Sequence, residues 1–191
     1  MFRLVKFILQ AILWVIILLF VIYCAICIMF PIKYGEQIIK YSDKYDLSPG
    51  LVCAVINTES RFKTDAQSHK GARGLMQLMP NTIDWATENM GITNFSYATI
   101  EDPDVNIDIG CWVLHYLSEQ FNGNEELMAA AYNAGIGNVK KWLGDTKYSS
   151  DGEYLDYIPY GETEKYVEKV MSYKTVYEII LRTDLYEIAG N

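Results

Sequence analysis

LVCAVINTES, residues 51–60, is the stretch on which the reading of the chain turns. A helical path places Val52, Val55 and Ile56 seven, four and three positions before Glu59, so an apolar stripe and a carboxylate share one face. Such an acid is either a surface group at a fraying helix end, partnered by Arg61 or Lys63, or a group held against apolar neighbours for its chemistry. In the second case its neutral form is favoured, which is what a general acid requires near neutral pH.

The flanks supply the limits of this helix. In DLSPG (46–50), Ser48 is a candidate cap and Pro49 suits the first helical position, which predicts a helix from there to about Phe62. Downstream, HKGARGLMQLMPNT (69–82) begins irregularly at Gly71 and Gly74, turns Leu75 and Met76 inward and sets Gln77 beside them. Pro80 either closes this element or opens the next helix. Asp102, Pro103 and Asp104 introduce a helix with Ile109, Val113, Leu114 and Leu117 at helical spacing. EELMAAAYNAG (125–135) reads as a helix from about Glu125 that ends at Gly135, and GIGNVKKW as a short one after it. A polar loop near Tyr148–Tyr157 precedes a long terminal helix over 162–182. The pattern is mainly α, with several amphipathic helices around one core.

Before this domain the composition changes. Phe7–Phe30 holds 24 residues without a charge, enough for a helix to cross about 30 Å of hydrocarbon. We expect a membrane anchor over 1–32, a linker over 33–40 and the domain over 41–187. A cleaved signal matches less well, since its apolar core is shorter and Ala25 and Cys27 fit a cleavage site only loosely. Arg3 and Lys6 precede the span while Lys33, Lys40 and Lys44 follow it, so charge does not decide its orientation.

All 24 acidic residues and all but two of the 16 basic ones lie after residue 30, giving that part a formal net charge of −10. A nucleic-acid backbone would be repelled, and no basic stripe offsets this. Cys24 and Cys27 have redox spacing but lie in the apolar run, where they pack as small hydrophobes. Cys53 and Cys111 fall in separate predicted helices, either paired or as two buried thiols. His69 and His115 are too few and too far apart for a metal centre, and there is no nucleotide loop. We expect neither metal nor cofactor.

Four short strings then stand together: TES (58–60), GARGLMQ (71–77), AAYNAG (130–135) and IPYGETEKYV (158–167). Taken singly, Gln77 and Asn133 read as capping or core-edge amides, and Tyr132 and Tyr166 as packing aromatics. In this order, over roughly residues 41–182, they resemble the lytic transglycosylase family of the soluble-Slt type. The resemblance implies a lysozyme-like helical domain with Glu59 as catalytic acid and base and Ser60 helping to position it. It implies that Gly74, Leu75, Met76 and Gln77 line a saccharide groove through backbone and amide, with Tyr132 and Asn133 as further groove residues. It also implies that Tyr166 hydrogen-bonds the catalytic glutamate and that Glu162 is the structural acid of its string.

What the family's chemistry implies is cleavage of the β-1,4 bond between N-acetylmuramic acid and N-acetylglucosamine in peptidoglycan, leaving a 1,6-anhydromuramoyl end. Because peptidoglycan lies outside the cytoplasmic membrane, the amino end would be inside and the domain outside, with glycan strands and the membrane as partners. Protein partners are not specified by these residues. A conventional glycosidase uses two carboxylates, and only Glu59 has a persuasive place; Asp65 and Asp84 lack a matching context. A hydrolytic muramidase on the same scaffold is the nearest alternative, and a non-catalytic wall-binding scaffold the next.

Overall fold

The computed structural model describes residues 2–182, so the last five residues of the expected domain, 183–187, lie outside it. The described residues fall into two compact units, one through Pro31 and one from Ile32. In the first, α1 (Phe2–Met29) is a single apolar helix. The second begins with α2 (Gly35–Lys44), so most of the stretch expected as a linker is helical, with Ile38 and Tyr41 buried. Two parallel rungs pin α2 to α5 (Pro103–Gln120): the Tyr41 hydroxyl donates to Asp104 at 2.7 Å and the Tyr45 hydroxyl to Asp108 at 2.7 Å. Lys40 and Lys44 join the same two carboxylates.

The axis of the domain is α3 (Pro49–Glu59). Its start is as read: Pro49 occupies the first turn and the Ser48 hydroxyl accepts from the Leu51 amide at 3.4 Å. Every residue from Gly50 to Asn57 is buried, so α3 is enclosed on all sides rather than along one stripe. The helix stops at Glu59, three residues earlier than the expected Phe62. Arg61 and Phe62 take left-handed backbone, φ 53° and 61°, and turn the chain away. Phe62 is 1% exposed, and burial of its ring offsets the backbone cost.

The remaining helices wrap this axis. Pro80 opens α4 (Pro80–Asn89), settling its alternative readings, and Asp102 caps α5 through the Asp104 amide at 2.8 Å. α6 (Glu125–Ala134) starts at the Asn124 cap and ends at Gly135; α7 (Ile136–Leu143) follows directly. The long α8 (Gly161–Arg182) packs along α3 and also against α6. Cys53 and Cys111 are both buried free thiols, and burial pushes Cys53 up to about 12. Only isolated bridges relieve the helical pattern among the described residues: Arg73 pairs with both Gln67 and Leu78 in the connection from α3 to α4.

Candidate active site

Glu59 ends α3 where the helix emerges from the core, and its side chain is half-buried. Because α8 runs along α3, Tyr166 arrives beside it, and its hydroxyl donates to Glu59 Oε1 at 2.7 Å. Burial lifts the Glu59 carboxyl from its ordinary 4.5 to about 7, while the Tyr166 hydrogen bond and the Lys169 charge act in the opposite direction. Burial outweighs both, so the group stays protonated through mildly acidic solution. Burial, followed by the adjacent Glu59, raises the Tyr132 and Tyr166 phenols well above their ordinary value. Both remain hydrogen-bond donors.

The turn carrying Gly74, Leu75, Met76 and Gln77 is latched on two sides. From α6, the Tyr132 hydroxyl donates to the Met76 carbonyl at 2.7 Å; from α5, the buried Asn106 side chain accepts the Met76 amide at 2.8 Å. The Asn106 amide also donates to Ile100 at 2.9 Å and Arg73 at 3.3 Å. Gly74 has φ 78°, and a Cβ there would stand 2.1 Å from Asn106 Nδ2. Neither feature tolerates a side chain. Leu75 and Met76 are buried as whole residues, backbone included, with Met76 seated on Gly110 and its amide and carbonyl both paired, so of the four residues only Gln77 is not buried.

Gln77 turns its amide onto its own loop, donating to Ala66 at 2.9 Å and Gly74 at 3.0 Å. Its own backbone is left-handed, φ 47°. Asn133 is exposed and accepts the Thr163 hydroxyl at 2.8 Å, joining α6 to the start of α8. The Ser60 hydroxyl donates to the Ile56 carbonyl at 3.2 Å, closing α3 rather than reaching the carboxyl. Glu162 is exposed in the first turn of α8, where the helix dipole favours its charge. Asp65 is exposed, and Asp84 is engaged by the Tyr97 hydroxyl. Among the described residues no second carboxylate acts on Glu59.

Three residues of this arrangement are not among the sequence candidates. Asn106 lies three and seven positions before Ile109 and Val113, so a polar group on an apolar stripe marks it as it marks Glu59. Thr163 lies four and seven positions before the buried Val167 and Val170. Lys169 follows Tyr166 by three residues and so shares its face. Burial and the nearby Arg61 lower the Lys169 ammonium from its ordinary value, while Glu59 raises it.

A cavity of about 360 Å³ opens beside this turn, with Gln77 and Tyr132 in its wall and Met79, Trp85, Tyr116 and Ile136 further along. A larger hollow of about 600 Å³, near the α5–α6 turn and residues 152–154, contains none of the candidate residues. Among the described residues no group of three His, Cys, Asp or Glu side chains is placed to hold a metal ion.

The chain has relatives of known name and structure. The chain is 33% identical over 154 residues to the soluble lytic murein transglycosylase of Escherichia coli strain K12, covering 80% of this chain and 24% of that one. It is 28% identical to the membrane-bound lytic murein transglycosylase C of Edwardsiella ictaluri, over 72% of this chain and 44% of the relative. Among solved structures, an inactive glutamate-to-glutamine mutant of the lytic transglycosylase Slt from Pseudomonas aeruginosa superposes with a TM-score of 0.72 at 34% identity. That match covers 87% of this chain and 26% of the other. The 70 kDa soluble lytic transglycosylase of Escherichia coli gives a TM-score of 0.72 at 31% identity, over 80% and 25%. This chain thus spans about a quarter of the length of its soluble relatives, and its domain is all-α and lysozyme-like. A family model described as Transglycosylase SLT domain matches residues 36–155, which with these likenesses shows that the chain belongs to the SLT family of lytic transglycosylases.

Proposed function

We propose that this protein is a membrane-anchored lytic transglycosylase that cuts the β-1,4 bond between N-acetylmuramic acid and N-acetylglucosamine and leaves a 1,6-anhydromuramoyl end. The observation that carries this reading is one carboxyl, Glu59, held at about 7 by burial, with the Tyr166 hydroxyl on it at 2.7 Å. A group of that kind can do two jobs in sequence. Protonated Glu59 gives its proton to the glycosidic oxygen as the bond to C1 breaks, while the muramic N-acetyl carbonyl supports the charge developing at C1. The carboxylate left behind then takes the proton of the muramic 6-hydroxyl as that oxygen closes on C1. Glu59 is protonated again and no water is consumed.

Tyr166 and Lys169 suit the second half of this cycle, because both favour the ionised carboxylate that burial disfavours. They keep the acid near neutrality instead of higher. Gln77, half-buried at the end of the latched turn, and Tyr132 present the wall of the cavity to an uncharged polymer. The wall-degrading role also gives α1 its place: Val5–Met29 is 25 residues with mean hydropathy 3.1, long enough to cross a bilayer with the domain on the outer side.

The test is turnover on purified, uncleaved peptidoglycan. Glu59→Gln keeps the shape and the Tyr166 contact but has no acidic proton, so release of soluble fragments falls by at least about 100-fold while wall binding persists. Near-normal release by the folded variant would remove Glu59 from the mechanism.

A further inference from the structure

The cavity beside the candidate active site has a feature that proton transfer does not use. Trp85, on α4, is 36% exposed at its wall. Its ring is met edge-on by two aromatic rings from α5: Trp112 with centroids 4.9 Å apart at 60°, and Tyr116 at 4.8 Å and 78°. Those two lie nearly parallel to one another, 6.0 Å apart at 19°. Edge-to-face packing on this scale holds an indole in a fixed orientation. A large aromatic side chain is therefore braced by two rings while part of its surface stays open.

The chemistry of the cavity narrows what could cover that surface. None of its lining residues is charged, although charged residues make up 21% of the chain. The polar groups are few: the Thr82 hydroxyl, the Tyr116 phenol, and the side-chain oxygens of Gln77 and Tyr132, whose N–H and O–H groups already donate within the protein. An apolar wall with a few neutral hydrogen-bonding groups suits a neutral, hydroxyl-rich ligand better than a carboxylate-bearing peptide. A pyranose offers this pair of surfaces, because its axial C–H bonds make one face apolar while its hydroxyls and acetamido group point outward. The cavity also adjoins the candidate site, since Gln77 and Tyr132 are in its wall and the Tyr132 hydroxyl holds the Met76 carbonyl of the latched turn.

We infer that Trp85, braced by Trp112 and Tyr116, is a stacking platform for an N-acetylhexosamine unit of the same glycan strand, away from the bond at Glu59. The inference rests on the proposed function for the identity of the strand. The platform sets strand grip and position, and Trp85 takes no part in proton transfer.

The probe is a β-1,4-linked N-acetylglucosamine hexamer, titrated calorimetrically into the full chain in detergent micelles with Glu59→Gln present, so that bound sugar is not cut. Trp85→Ala raises the hexamer Kd by about 3- to 10-fold, as loss of one aromatic stacking contact would. Trp85→Phe, which keeps a ring against Trp112 and Tyr116, recovers at least half of that loss. With Glu59 intact, Trp85→Ala raises KM on purified wall and leaves kcat within about twofold, as loss of uniform binding requires. Hexamer affinity unchanged by Trp85→Ala overturns the platform, as does absence of hexamer binding by the unsubstituted protein. A fall in kcat with KM unchanged overturns it too, because the ring would then be supporting the catalytic turn. The two readings fail separately. Trp85-dependent hexamer binding without wall cleavage leaves the platform and removes the enzyme, whereas cleavage with no Trp85 dependence does the reverse.

Discussion

Replacing Glu59 by glutamine should change how the domain's stability depends on pH, independently of any substrate. The native state holds this proton up to about pH 7, whereas the unfolded chain releases it near 4.5. Between those values the folded form binds more protons, so stability falls as pH rises through the window. A rise from 4.5 to about 7 corresponds to about 3 kcal/mol at full ionisation. The side chain is half-buried and reaches solvent on one side, which reduces the expected effect to about 1.5–3 kcal/mol. The glutamine amide in the Glu59→Gln variant cannot ionise and carries no such slope. Urea unfolding of residues 32–191 at pH 4.5 and pH 8 measures it as a difference of differences. The variant should gain about 1.5–3 kcal/mol on the unsubstituted domain between the two pH values. Shared carboxylates such as Asp104 and Glu178, both held below the usual range by their partners, cancel in that comparison. Parallel stability curves would mean that Glu59 is solvated and that burial does not hold its proton.

Two further outcomes follow from the same contacts. Tyr166→Phe and Lys169→Met each remove a group that favours the carboxylate, so each should move the alkaline limb of the activity profile upward; an unmoved limb in both would dissociate them from Glu59. Gly74→Ala sets a Cβ into Asn106 at a left-handed position and should cost about 2 kcal/mol or more in thermal unfolding, with loss of activity. A melting temperature within a degree or so of the parent would show that the 74–77 turn yields freely.

How much of this is legible in the sequence depends on whether the deciding contact is local. Ser48, Pro49, Asp102 and Gly135 act within a few residues of themselves, and the helix limits they imply match α3, α5 and α6 at those ends. The far end of α3 differs from its expected position because Arg61 and Phe62, rather than glycine or asparagine, adopt the left-handed backbone, and burial of Phe62 by distant elements permits it. The segment 33–40 reads as a linker because its few apolar residues gain partners only once Tyr41 and Tyr45 reach α5, more than sixty residues later. Glu59 is visible as an acid on an apolar helix, but its Tyr166 partner is 107 residues away and is expected only through family resemblance. Gln77 bonds Gly74 three residues back and Ser60 bonds Ile56 four residues back, so both contacts are local, an amide closing its turn and a hydroxyl closing its helix, whereas the roles expected of these residues come from family resemblance.

The product of the reaction tests the central claim most directly. A carboxyl working without a second one, with the muramic 6-hydroxyl carried by the same sugar as C1, favours ring closure over attack by free water. Mass spectrometry of purified wall digested by residues 31–191 should therefore show muropeptides about 18 Da lighter than hydrolysed counterparts, the mass of one water that ring closure excludes. Fragments with reducing ends that borohydride converts would contradict the account and make the protein a muramidase, and a folded domain that binds wall but releases nothing would make it a scaffold.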